Sequence, residues 1–147
     1  MSINLDNKLN KLLQDIPKGT VILSSWLLSQ GYSHSLQHRY LKSHWLETIG
    51  SGAFKRKNDE LVVFGALYAL QQQKGKNIHI GGKSALSLLG FAHNIEMNNT
   101  SLSFFAHPGY KFPKWFKNNR DWKAHRLFCS SFLPAQLGIM EYDLGNF

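Results

Sequence analysis

The chain has 147 residues, 43% of them hydrophobic and 13% aromatic, which supports a packed core and excludes general disorder. Its 17 Lys and Arg against 9 Asp and Glu give a formal charge of +8, favouring an anionic partner, nucleic acid or an acidic surface, without choosing between them. The single cysteine, Cys129, excludes an internal disulfide framework and a multi-cysteine zinc site, and no apolar run approaches the ~18 residues of a membrane helix.

Leu5, Leu9, Leu12, Leu13 and Ile16 recur at helical spacing with Lys8, Lys11 and Gln14 between them, predicting an amphipathic first helix. Pro17, Lys18 and Gly19 end it. TVIL reads as a short extended piece, and SSWLLSQ as a second helix capped by Ser24 or Ser25. Gly31 stands where a helix stops in the left-handed conformation. Ser33 then caps a third helix through HSLQHRYLKSH. The period changes next: Trp45 to Ile49 reads as a strand, Gly50-Ser51-Gly52 as a turn, and Ala53 to Arg56 as the return strand. Helix, extended piece, helix, tight turn, helix and hairpin is the order of a winged helix-turn-helix.

A fourth helix is expected from about Asp59 to Gln73, with Leu61, Val63, Phe64, Leu67 and Tyr68 packing back onto the module. The polar run 71–76 makes the connection, and IHIGGKSALSLLGF reads as a short strand, a glycine turn and a fifth helix from Lys83 to Leu89. Beyond Asn94, SLSFFAH, HRLFCSSFL and GIMEYDL are strand-like. The expected class is α+β: a winged helix-turn-helix over 1–75, then a small α/β region over 76–147 with a β-rich C-terminal part.

Placed about 100° apart on the third helix, Leu36, Tyr40 and Leu41 gather on one side and Trp45 closes the end. Ser35, His38, Arg39 and Lys42 project from the other side, with His34 in the first turn; Gln37 and His44 fall toward the buried side. Such a face suits a major groove, where Arg can donate twice to guanine while Ser and Lys reach phosphates. The hairpin adds Lys55, Arg56 and Lys57, and its tip lacks bulk, so its backbone amides could approach DNA closely. Residues 31–57 hold five Lys or Arg and one acid, Glu47, a balance that predicts steeply salt-dependent binding.

Other chemistry finds little support. GGKSALSLLG lacks the earlier glycine of a phosphate-binding loop, and His34 with His38 has zinc-like spacing but no nearby Glu or Cys to complete a set. No paired carboxylates, Ser-x-x-Lys or Cys/His pair suggests catalysis, so neither an enzyme nor a cofactor is expected. Cys129, in the apolar stretch RLFCSSFLP, reads as a buried inert thiol. MSINLDNKLNKLLQDI has no signal-peptide pattern, so a cytoplasmic location is expected. YKFPKWFKNNRDWKAHR carries six Lys or Arg against Asp121 and leaves three readings open. It could touch nucleic acid, it could bind a protein, or Trp115, Phe116 and Trp122 could simply pack under the sheet.

The stretch SSWLLSQGYSHSLQHRYLKSHWLETIGSGAFKR, continued by DELVVFGALYALQQQ and IHIGGKSALSLLGF, resembles the antitoxins of the AbiE abortive-infection, type IV toxin–antitoxin systems. The resemblance runs from about Leu9 to Phe91. It is carried by the Gly31-Tyr32-Ser33 opening, the Lys42-Ser43-x-Trp45-Leu46 exit and the Gly50-x-Gly52 turn. A glycine commonly precedes that tryptophan in the family, whereas this chain has His44. The resemblance implies a winged-helix autorepressor that binds inverted repeats in its own promoter, with a second domain that counteracts a nucleotidyltransferase toxin. Mapped by position, the recognition residues are Ser33, His34, Ser35, His38, Arg39 and Lys42, with Ser51, Lys55 and Arg56 in the wing. Family members continue well past this length, so the text after Asn94 corresponds to the start of the second domain, in a short homologue or a truncated one. Two rival readings are a winged helix that docks a protein partner and one that binds RNA. Dimers and paired monomers would both suit inverted repeats.

Overall fold

Leu9, Leu12 and Ile16, three of the five residues of the first apolar stripe, are buried in the structure, and Leu13 is half-buried. The structure is a computed structural model and describes residues 2–90, 102–119, 126–129, 140, 141, 143 and 147. Expectations placed on Phe91, Trp122, most of GIMEYDL and the side chains of Leu5, Lys83 and Cys129 lie outside what is described.

The stripe belongs to α1 (Ser2–Asp15). After Gly19, at φ +79°, the chain makes β1 (Ile22–Leu23), α2 (Ser24–Ser29) and α3 (His34–Lys42). Gly31, at φ +83°, turns the chain between the two helices as its position predicts, and the Ser33 hydroxyl accepts the Leu36 amide at 3.3 Å to cap α3. The expected serine cap of α2 is corrected: Leu23 holds the cap position, and Ser24 is the first helical residue. Its amide donates to the Gly52 carbonyl at 2.9 Å, and its hydroxyl is used elsewhere, as described below.

β2 (Leu46–Gly50) and β3 (Ala53–Arg56) form the hairpin, and the sheet order is β1-β3-β2, antiparallel throughout. Side-chain alternation gives this small sheet two buried faces. Ile22 and its cross-strand partner Phe54 join Leu12, Leu27, Leu36 and Tyr40 in one apolar cluster. Leu23 and its partner Ala53 join Val21, Leu70, Ile78, Phe104, Trp115 and Phe116 in another.

The fourth helix begins later than its apolar spacing predicts. Residues 59–62 form a connector because their polar groups are already engaged: the Asp59 carboxylate accepts the Gly19 amide at 3.0 Å, and the Val62 amide donates to the Gly19 carbonyl. α4 therefore runs Val63–Tyr68 and continues as a π-helical turn, Ala69–Gln73. Gly65 sits against that connector: a Cβ there would stand 2.0 Å from the Gly19 carbonyl oxygen. The π turn brings Gln73 to the free edge of β1. There its Nε2 donates to the Val21 carbonyl and its Oε1 accepts the Leu23 amide, both at 2.8 Å. One side chain thus takes the pair of backbone groups that a residue of a neighbouring strand would take.

Further on, β4 (His79–Ile80) and α5 (Gly82–Leu88) lie within a residue or two of their expected places. β5 (Ser103–Ala106) joins β4 antiparallel and β6 (Arg126–Cys129) parallel. Between these last two strands lies α6 (Lys114–Lys117), whose Trp115 and Phe116 are buried. For those two residues the packing reading is the one observed. The class is α+β, with a winged-helix arrangement at its N-terminal end.

Candidate nucleic-acid interface

α3 spans nine residues, and an α-helix with its side chains is about 10–12 Å across, which fits a major groove about 12 Å wide. Leu36, Gln37 and Tyr40 are its buried residues. Ser33, His34, Ser35, His38, Arg39 and Lys42 are all exposed, so the polar face expected from the spacing is present as one continuous surface. Apart from the Ser33 cap, none of these side chains is hydrogen-bonded or ion-paired to another described residue. Two basic groups in its last turn also suit the negative end of the helix dipole.

What holds this face in place is a residue that the spacing marks only as inward. Gln37 is 2% exposed. Its Nε2 donates to the Tyr32 carbonyl at 2.8 Å and to the Ser24 carbonyl at 3.3 Å, while its Oε1 accepts from the Ser24 hydroxyl at 2.6 Å. The carboxamide therefore locks α3 to the start of α2 and to the intervening turn. A glutamine on the apolar side of an amphipathic helix was the available signal. From the other side, α1 grips the same turn. The Lys8 ammonium donates to the Gly31 carbonyl at 3.3 Å, and the Tyr32 hydroxyl donates to the Lys8 carbonyl at 3.1 Å. Burial, then the nearby Asp15 carboxylate, pushes the Tyr32 hydroxyl pKa up, which keeps it a donor.

The exit from α3 corrects two expectations. His44 is exposed rather than inward, with φ +58°, because the chain must turn left-handed between the last helical turn and β2. That is a conformation that favours glycine. Trp45 does not close the helix end: its backbone is bonded to Tyr40 and Lys57, but its side chain is 51% exposed. With Leu13, His44, Arg56 and Lys57 it lines an open hollow at the base of the hairpin.

In the wing, Ser51 and Gly52 are exposed at the turn. Lys55 and Arg56 are half-buried and already have internal partners. The Lys55 ammonium pairs with Glu47 at 3.3 Å and donates to the Asp59 carbonyl at 3.1 Å. The Arg56 guanidinium donates to the Ile16 carbonyl at the end of α1. Gly50 has an internal packing reason to lack a side chain. A Cβ there would lie 2.8 Å from Trp115 Cβ, so its lack of a side chain makes room for α6.

No group of three or more His, Cys, Asp or Glu able to hold a metal ion occurs among the described residues, and none of their helices is long and apolar enough to cross a membrane. Residues 5–97 match the family described as transcriptional regulator, AbiEi antitoxin N-terminal domain. The chain belongs to that family. No curated protein matches it. The AbiEi match takes in most of α1 and all of the elements from β1 to α5, the wing among them, and ends before β5 and α6. The α6 helix that rests on the AbiEi wing therefore lies beyond the matched residues.

Proposed function

We propose that the chain is a DNA-binding transcriptional autorepressor and antitoxin-like protein of a type IV toxin–antitoxin system. In this reading α3 enters the major groove of inverted repeats in the chain's own promoter. Arg39 reads a base edge, Ser35, His38 and Lys42 contact edges or phosphates, and Ser33 and His34 meet the backbone near the helix N-terminus. Ser51 approaches an adjacent phosphate at the wing. Lys55 and Arg56 contribute mainly by holding the hairpin, and would have to exchange internal partners to touch DNA. The observation that carries the reading is the unpaired, exposed face His34, Ser35, His38, Arg39 and Lys42 on a helix braced by Gln37. Membership of a transcriptional-regulator family supports it independently.

The antitoxin half of the reading is that the chain counters a cognate nucleotidyltransferase toxin. Co-expression with that enzyme should relieve its growth inhibition.

The DNA half is tested by fluorescence anisotropy with the chain's own promoter duplex and a scrambled duplex. Promoter-selective binding lost in Arg39→Ala and Lys42→Ala is the expected result. Equal weak binding to both duplexes, unchanged by the two substitutions, would overturn it and favour a protein partner, with exposed Trp45 and its hollow as the place to look.

A further inference from the structure

α6 is too short to be stable alone, and it is held by the two apolar side chains at its centre. Trp115 and Phe116 are buried, Phe116 edge-on to Phe104 at 5.3 Å between ring centres. Lys114 and Lys117, three residues apart, stand clear of that core and are exposed, as is Lys111 in the approach to the helix. Residues 107–119 contain no acid, and no ion pair among the described residues engages these lysines.

The position of α6 gives this charge a direction. The Cβ site of Gly50 lies 3.5 Å from Trp115 Cα as well as 2.8 Å from its Cβ, so α6 is laid on the end of β2 beside exposed Ser51 and Gly52. With about 3.8 Å between consecutive Cα atoms, Lys114 Cα stands within about 9 Å of the Gly50 backbone. Its four-carbon stem extends the ammonium further. The lysines are thus carried by a helix anchored in the core, directly next to the wing turn.

We infer that α6 is a second basic contact for the DNA backbone, with Lys114 and Lys117 meeting the phosphates next to those approached by the wing turn. The inference rests on the DNA-binding reading above and adds to it a surface outside the matched family region. The partner is the phosphate backbone of a duplex. α6 packs against the end of β2 beside the wing turn, and ammonium groups on rotatable stems suit phosphates without reading base edges. The contact therefore adds affinity and salt dependence but no sequence preference.

The test compares the full chain with its Lys114→Gln/Lys117→Gln variant, titrating promoter and scrambled duplexes over a range of salt concentrations. Each phosphate contact contributes about 0.9 to the slope of log affinity against log salt, so the double variant should lose about 1 to 2 from the slope. It should weaken promoter and scrambled binding by the same factor, and Lys114→Arg/Lys117→Arg should keep the slope. An unchanged slope in the glutamine variant, with the parent binding its promoter and Arg39→Ala losing selectivity, would overturn this inference alone. A parent chain that binds neither duplex would overturn it together with the DNA-binding reading.

Discussion

The Ser24 hydroxyl donates to Gln37 Oε1 at 2.6 Å, and the same glutamine returns a bond to the Ser24 carbonyl. This reciprocal pair fixes the crossing of α2 and α3 by hydrogen-bond geometry, where apolar contacts alone would allow small rotations. Gln37→Leu keeps the bulk but removes the donor to the Tyr32 carbonyl and the acceptor for the Ser24 hydroxyl. Unsatisfied buried groups cost about 1–3 kcal/mol. We expect urea unfolding to show a loss of that size, and promoter affinity to fall at temperatures where the variant is still folded.

Gln73 makes a comparable contact at the edge of β1. Gln73→Ala would leave the Val21 carbonyl and Leu23 amide without partners in a region where Val21 and Leu23 are themselves buried. A loss of about 2 kcal/mol is expected. The denaturation midpoint should fall with little change in the dependence on denaturant, because the surface exposed on unfolding is almost the same.

His44 offers a substitution in the opposite direction. A left-handed backbone costs an ordinary residue about 1–2 kcal/mol, which glycine avoids while losing about 0.5–1 kcal/mol more conformational entropy on folding. Since the His44 side chain is exposed, His44→Gly should stabilise the chain by up to about 1 kcal/mol, measured as a higher midpoint in the same urea titration.

His79 sets a pH dependence. Burial lowers its pKa, and its ring stacks on Phe105 at 5.7 Å. The folded state therefore binds a proton less readily than the unfolded state, whose value is the ordinary 6.5. This contribution to stability is complete above 6.5 and is lost as the pH falls through 6.5 toward the lower folded value. Thermal unfolding between pH 7.5 and 5 should show a falling midpoint, with a smaller fall in His79→Gln.

Much of the N-terminal half was legible in the sequence because its determinants are local. The stripe Leu9, Leu12, Ile16, the Ser33 cap and the turn at Gly31 each act within a few residues, which is the range over which spacing and capping rules apply. The polar face of α3 followed from the same periodicity. Features set by distant partners were not legible. α4 starts late because Asp59 and Val62 bond to Gly19, 40 residues or more away in the chain. Gln37 was recognised as inward, but nothing in its neighbours named Ser24 as its partner. Gly50, expected in the turn, instead ends β2, and the reason for its missing side chain, Trp115, lies 65 positions later.

The two-faced wing sheet has a consequence for how the molecule opens. Ile22 and Phe54 wall one apolar cluster while Leu23 and Ala53, their immediate neighbours in the same strands, wall the other. Neither cluster can come apart without baring a surface that the other needs covered. The amides of β1 and β3 should accordingly be the last to exchange with deuterated water, and only through global unfolding, whereas those at the start of α1 should exchange by fraying.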